Sequence, residues 1–145
     1  MKRIFDTQTM QVMRMFEQIT HANLKDCFTE DEIQYFIVEE HQIGKAVGKQ
    51  GRNLKKLEKA LKRKVKIVEY SSDLATFVRN LYYPTKIEDI VVEEETVTIM
   101  PADLQARGYL IGRGANTLRR IERIVQRYFD IKEIKIAPWS KKQEA

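Results

Sequence analysis

The sequence is poor in the residues that bind metals and form cross-links. It has one cysteine, Cys27, and two histidines, His21 and His41. A single thiol cannot close an intrachain disulfide, and these residues together fall short of a tetrahedral Cys/His zinc set. No apolar run approaches the ~18 residues of a membrane-spanning helix. Residues 1–9 lack the apolar stretch of a secretory signal, so a cytoplasmic location is expected. No Ser-His-Asp, Cys-His or HExxH arrangement is present. The segment Gly44-Lys45-Ala46-Val47-Gly48-Lys49 falls short of a nucleotide-hydrolase phosphate loop. It is one residue too short between the glycines, and Gln50 stands where Ser or Thr is needed. The expectation is a protein that is no enzyme, with no cofactor, metal or small-molecule substrate.

Positive charge is plentiful but uneven. The formal net charge is +5. Lys45 to Lys66 holds ten Lys/Arg against Glu58, net +9, and Arg107 to Arg127 holds six Arg against Glu122, net +5. The remainder therefore carries 5 − 14 = −9. Basic windows on an acidic body point to a polyanion with a defined site. A solvated lysine face is the bland alternative for either window alone; two windows in matching places weaken it.

The windows match because the chain repeats itself. Val47-Gly48-Lys49-Gln50-Gly51-Arg52-Asn53-Leu54-Lys55-Lys56-Leu57-Glu58 aligns without gaps on Ile111-Gly112-Arg113-Gly114-Ala115-Asn116-Thr117-Leu118-Arg119-Arg120-Ile121-Glu122, at an offset of 112 − 48 = 64 residues. This indicates duplication of a unit of ~65 residues. Cores this small are marginal alone, so the halves are expected to pack on each other or share a helix, in a fixed orientation.

The flanks repeat as well. Val12, Met15, Phe16 and Ile19 have helical spacing over 7–20, with Asp6 or Thr7 as N-cap. Strands follow at Asn23–Phe28 and Ile33–Val38, with 29–32 as their turn. A short helix ends near Val47. A longer one runs from Arg52 to Arg63, burying Leu54, Leu57 and Leu61 while Lys55, Lys56, Lys59 and Lys62 face out. Val65–Tyr70 closes the unit as a strand. In the second unit Ser72 or Asp73 caps a helix to Leu81, stopped by Pro84. Strands Ile87–Glu93 and Thr96–Met100 follow, with Glu93-Glu94-Glu95 as their turn. Asp103 then caps a short helix leading to Gly112. A long helix buries Leu118, Ile121, Val125 and Tyr128, and Ile131–Ile136 is the last strand.

A Gly-x-x-Gly turn between helices serves a polyanion directly. Glycines allow positive φ and present no Cβ, so a phosphodiester backbone can approach. The following helix begins there, offering free N–H groups and the positive end of its dipole. Gly48-Lys49-Gln50-Gly51, set within helix-strand-strand-helix-helix-strand order, resembles the KH domain of the prokaryotic type. Such domains clamp about four nucleotides on the loop. Thr20-His21-Ala22-Asn23-Leu24-Lys25-Asp26-Cys27, Val65-Lys66-Ile67-Val68-Glu69-Tyr70-Ser71 and Leu110-Ile111-Gly112-Arg113-Gly114 are similar to the short archaeal NusA-type proteins. That resemblance covers about residues 7–137.

It implies an α+β fold of two tandem type II KH domains, 1–71 and 72–139, followed by a polar tail, 140–145. Each would be a three-stranded sheet covered by helices on one face. It also implies a transcription termination or antitermination factor that binds single-stranded nascent RNA, with RNA polymerase or other transcription factors as further partners. Bacterial members add a polymerase-binding domain and an OB-fold, for which this chain has no room. Direct polymerase contact therefore has no support in the sequence. The RNA-binding residues expected are Lys45, Gly48, Lys49, Gln50, Gly51, Arg52, Lys55 and Lys56, then Gly112, Arg113, Gly114, Asn116, Arg119 and Arg120. The second loop departs from the pattern, since Ala115 occupies the last glycine position. Alanine disfavours positive φ, so Gly114 is expected to supply the flexibility, giving a second site that is shifted, weaker or structural. The loops are expected to face one side as a continuous track.

Competing readings are a KH scaffold docked on structured ribosomal RNA and, further off, a metal-dependent nuclease. Cys27 reads as a buried small hydrophobe, His21 as a helix end and His41 as exposed filler. Trp139 reads as cover for a core edge. Tyr109 suits RNA contact and interdomain packing equally, and Met10, Met13 and Met15 read as core or interdomain packing.

Overall fold

In the computed structural model, residues 6–140 are described. The chain divides into two compact units, one up to Ser71 and one from Ser72 onward. Apart from Ser140, the expected polar tail lies outside the described residues.

The first unit runs α1 (Thr7–Thr20), β1 (Leu24–Glu30), β2 (Ile33–Val38), α2 (Ile43–Val47), α3 (Arg52–Leu61) and β3 (Val65–Glu69). Its sheet has the order β1-β2-β3, β1 antiparallel and β3 parallel to the central β2. A central strand reads as a continuous apolar run, and β2 is buried from Gln34 to Val38. Phe16 of α1 stacks on Phe36 of β2 at 4.4 Å between ring centroids. Ala46, Leu57, Val38 and Val65 complete that core, with Met13, Leu54 and Leu61 packed half-buried against it.

The second unit repeats the order as α4 (Leu74–Tyr82), β4 (Ile87–Glu93), β5 (Thr96–Pro101), α5 (Leu104–Ile111), α6 (Asn116–Gln126) and β6 (Glu133–Ile136). Its sheet order is β4-β5-β6, with β4/β5 antiparallel and β5/β6 parallel. Phe77 of α4 meets Tyr128 edge-on at 5.4 Å. Tyr82 donates its hydroxyl to the Leu110 carbonyl at 2.9 Å, fastening α4 to α5.

Several boundaries differ from the sequence expectation, and backbone chemistry explains them. The first hairpin turn is only Asp31 and Glu32, since Glu30 pairs with Ile33. Both turn residues have positive φ, 49° and 65°, as a two-residue hairpin matched to strand twist requires. α3 stops at Leu61 because Lys62 turns left-handed, φ 54°. β6 begins at Glu133, two residues later than the hydrophobic pattern suggests, and Tyr128 lies beyond the end of α6. Met10 is exposed rather than packed.

Candidate nucleic-acid interface

α2 and α3 are joined by one 3₁₀ turn, Lys49–Gly51, and α5 and α6 by its counterpart, Arg113–Ala115. Gly48 lies at φ 79°, ψ 170°, Gln50 at 56°, 29° and Gly51 at 72°, 20°. In the second unit Gly112 lies at 76°, 175°, Gly114 at 60°, 28° and Ala115 at 63°, 21°. The two turns thus share one backbone path. This corrects the expectation for Ala115. Gly114 does not substitute for the missing glycine; it occupies the position of Gln50, and Ala115 itself takes the left-handed conformation. An L-residue there costs about 1–2 kcal/mol, which the rest of the unit carries.

The glycines of the first turn have different jobs. A Cβ on Gly48 would come 2.9 Å from the Asn53 Nδ2 and 3.1 Å from its backbone N. One on Gly112 would lie 2.8 Å from the Thr117 Cβ. By contrast a Cβ on Gly51 meets nothing within 4 Å. The first glycine is required for close approach and the last only for its φ, which is why alanine is admitted at 115 and not at 112. Asn53, which sequence reasoning passed over, donates to the Lys45 carbonyl at 3.1 Å and ties α3 back to α2.

The starts of α3 and α6 beside these turns, like that of the short α2, differ from those of α1, α4 and α5. α1, α4 and α5 are capped by Asp6, Asp73 and Asp103, whose carboxylates accept from Thr9 N at 2.7 Å, Thr76 N at 3.0 Å and Ala106 N at 2.6 Å. The caps of α3 and α6 are Gly51 and Ala115, which have no side-chain acceptor. The positive end of each dipole is therefore left without a built-in anion. An external phosphate would find donors and dipole together.

Around the first turn Lys45, Lys49, Gln50, Arg52, Lys55 and Lys56 are all exposed. In the second, Arg113, Gly114 and Asn116 are exposed, but the helix arginines are engaged. Arg119 pairs with Glu122 at 2.8 Å, and Arg120 is half-buried and has a partner. The glutamate of the repeated motif is structural: Glu122 also accepts the Ile134 N–H at 2.8 Å, and Glu58 accepts that of Val65 at 3.5 Å. Of the remaining candidates, Cys27 is buried, His21 caps the C-terminus of α1, and the His41 backbone N–H binds Glu69 at 3.1 Å. Trp139 is half-buried, while Tyr109 is 63% exposed. Among the described residues no cluster of three or more His, Cys, Asp or Glu could hold a metal ion, and no helix is long and apolar enough to cross a membrane.

The KH domain family model matches residues 13–97. The probable transcription termination protein NusA of Methanocaldococcus jannaschii is 32% identical over 133 residues, covering 90% of this chain and 73% of that protein. The chain belongs to the archaeal NusA-type family of KH-domain proteins. A second NusA-type relative, from Methanococcus vannielii, is 31% identical over 134 residues, 90% of this chain and 78% of that one. The transcription termination/antitermination protein NusA of Bacillus subtilis matches over 77 residues at 35% identity, 51% of this chain but 21% of that protein. Among solved structures, the crystal structure of APE1850 superposes with a TM-score of 0.76 at 29% identity, covering 92% of this chain and all (100%) of the other.

Proposed function

We propose that the chain is an RNA-binding transcription termination or antitermination factor that works by binding alone. On this reading residues 1–71 and 72–139 are tandem type II KH domains. Each holds the phosphodiester backbone of single-stranded nascent RNA on its glycine turn. Gly48 to Gly51, with Lys45, Lys49, Arg52, Lys55 and Lys56, is the stronger clamp. Gly112 to Gly114, with Arg113 and Asn116, is the weaker one, because Glu122 neutralises Arg119. The observation carrying this reading is the shared backbone path of the two turns, each opening a helix whose cap has no acceptor. Membership of the NusA-type family supplies the transcriptional context.

The test is affinity for a short single-stranded RNA, by fluorescence anisotropy. Lys49→Asp/Gln50→Asp should lower affinity at least about tenfold, since two new carboxylates face phosphates held by charge. Arg113→Asp/Gly114→Asp should cost less. Circular dichroism checks that both variants stay folded. Unchanged affinity in both folded variants would refute the clamp.

A further inference from the structure

The basic residues of α3 continue well past the turn. Arg52, Lys55, Lys56 and Lys59 recur at intervals of three and four, so they share one face of the helix, and Lys62 follows just beyond it as the left-handed cap. All five are exposed, and none forms an ion pair among the described residues. α3 has 10 residues, so the stripe extends ~15 Å from the turn at ~1.5 Å per residue. It ends at a hollow shared by Lys62, Arg63 and Lys64 with Asp31 and Glu32 of the hairpin turn, where negative charge begins.

Such a stripe works against folding. Like charges at i, i+3 and i, i+4 repel, and cations on the first turn oppose the helix dipole. The other unit has not kept the pattern. At the same offset α6 carries Asn116, Arg119, Arg120, Arg123 and Gln126. The end residues are neutral, Arg119 is held by Glu122, and Arg120 and Arg123 are engaged. Unpaired charge on α3 alone therefore belongs to a feature of the first unit rather than to the shared fold.

We propose that the phosphate-binding surface of the first glycine turn continues along the outer face of α3 through Lys59 to Lys62, taking the RNA strand that leaves the turn. This rests on the RNA-binding reading above. RNA is favoured over an acidic protein because Arg52 adjoins the turn: a strand held there is already tethered beside Lys55, Lys56 and Lys59, at high effective concentration.

The experiment uses the full chain and two RNAs. One is a tetranucleotide, the length a KH turn accommodates, and the other has about twelve nucleotides. Lys59→Gln/Lys62→Gln removes two stripe charges. Lys132→Gln/Lys135→Gln removes two charges paired with Glu95 and Glu133 and controls for net charge. The stripe variant should bind the longer RNA about tenfold more weakly, with the slope of log K against log salt smaller by about 1.4, at roughly 0.7 per phosphate. Its tetranucleotide affinity should be unchanged, and the control should match the parent with both RNAs. A stripe variant that binds the longer RNA like the parent overturns the proposal and leaves the face to an acidic protein or to solvent. Equal losses on both RNAs, or the same loss in the control, overturn it too. A parent that binds neither RNA refutes the RNA-binding reading itself, a different result from any of these.

Discussion

Gly48 and Gly51 look interchangeable in a motif, yet their surroundings separate them. Gly51→Ala adds a methyl that meets no protein atom and imposes left-handed strain of about 1–2 kcal/mol against about 0.4–1 kcal/mol of reduced unfolded-state entropy, so it should cost only about 0.5 kcal/mol net in urea unfolding. Gly48→Ala drives a methyl against Asn53. It should displace the start of α3, cost more, and weaken RNA binding. Ala115→Gly is the reciprocal test. It relieves strain at φ 63° against about 0.4–1 kcal/mol of added unfolded-state entropy, so a net stabilisation of about 0.5 kcal/mol is expected. The motif alone announced a small-residue turn. Which position needs space and which needs only φ depended on Asn53 and Thr117, whose approach follows from how α3 and α6 pack.

The helices are held by caps and by aromatic contacts that each unit builds for itself. Hydrogen bonds from Thr76, its side chain first and then its backbone N–H, hold the Asp73 carboxyl below its ordinary value, and the Thr9 backbone N–H does the same for Asp6. A lowered folded-state pKa means that the unfolded chain takes up the proton first. The stability from these caps is therefore present above the ordinary aspartate value of about 4 and disappears as pH falls through the lowered folded value. Thermal unfolding across that range should show the parent losing its advantage over Asp73→Ala in acid, while Asp73→Asn, an uncharged cap, is less dependent on pH. In the core Phe16→Ala removes a fully buried ring stacked on Phe36 and should cost about 3–5 kcal/mol. These elements were legible because periodicity and Asp caps are local signals. Their ends were less so: Lys62 and the Asp31-Glu32 turn adopt positive φ, which no residue preference announced.

At the scale of the molecule the governing quantity is charge distribution. With both basic windows on an otherwise acidic chain, RNA binding should fall steeply with salt as condensed counterions are released. A titration at several salt concentrations checks this, and a nearly flat response would count against phosphate contact by either unit. On the proposed clamp, the charge-reversed first turn should have a shallower slope than the parent, because it would lose phosphate contacts along with affinity.

The sequence by itself determined the duplication, the order of elements in each unit, the two glycine turns and the excess of positive charge beside them. All of these are encoded in neighbouring residues or in a fixed offset. Only the tertiary structure decided which of those charges are available. Arg119 and Lys55 are equivalent in the alignment and both are exposed, yet Arg119 pairs with a Glu122 that the Ile134 N–H of β6 holds in place, while Lys55 forms no ion pair among the described residues. The structure likewise set the left-handed path of Ala115 and made Gly51 and Ala115, residues with no side-chain acceptor, the caps of α3 and α6. Those features depend on where side chains and caps meet in space, and composition or spacing does not specify that.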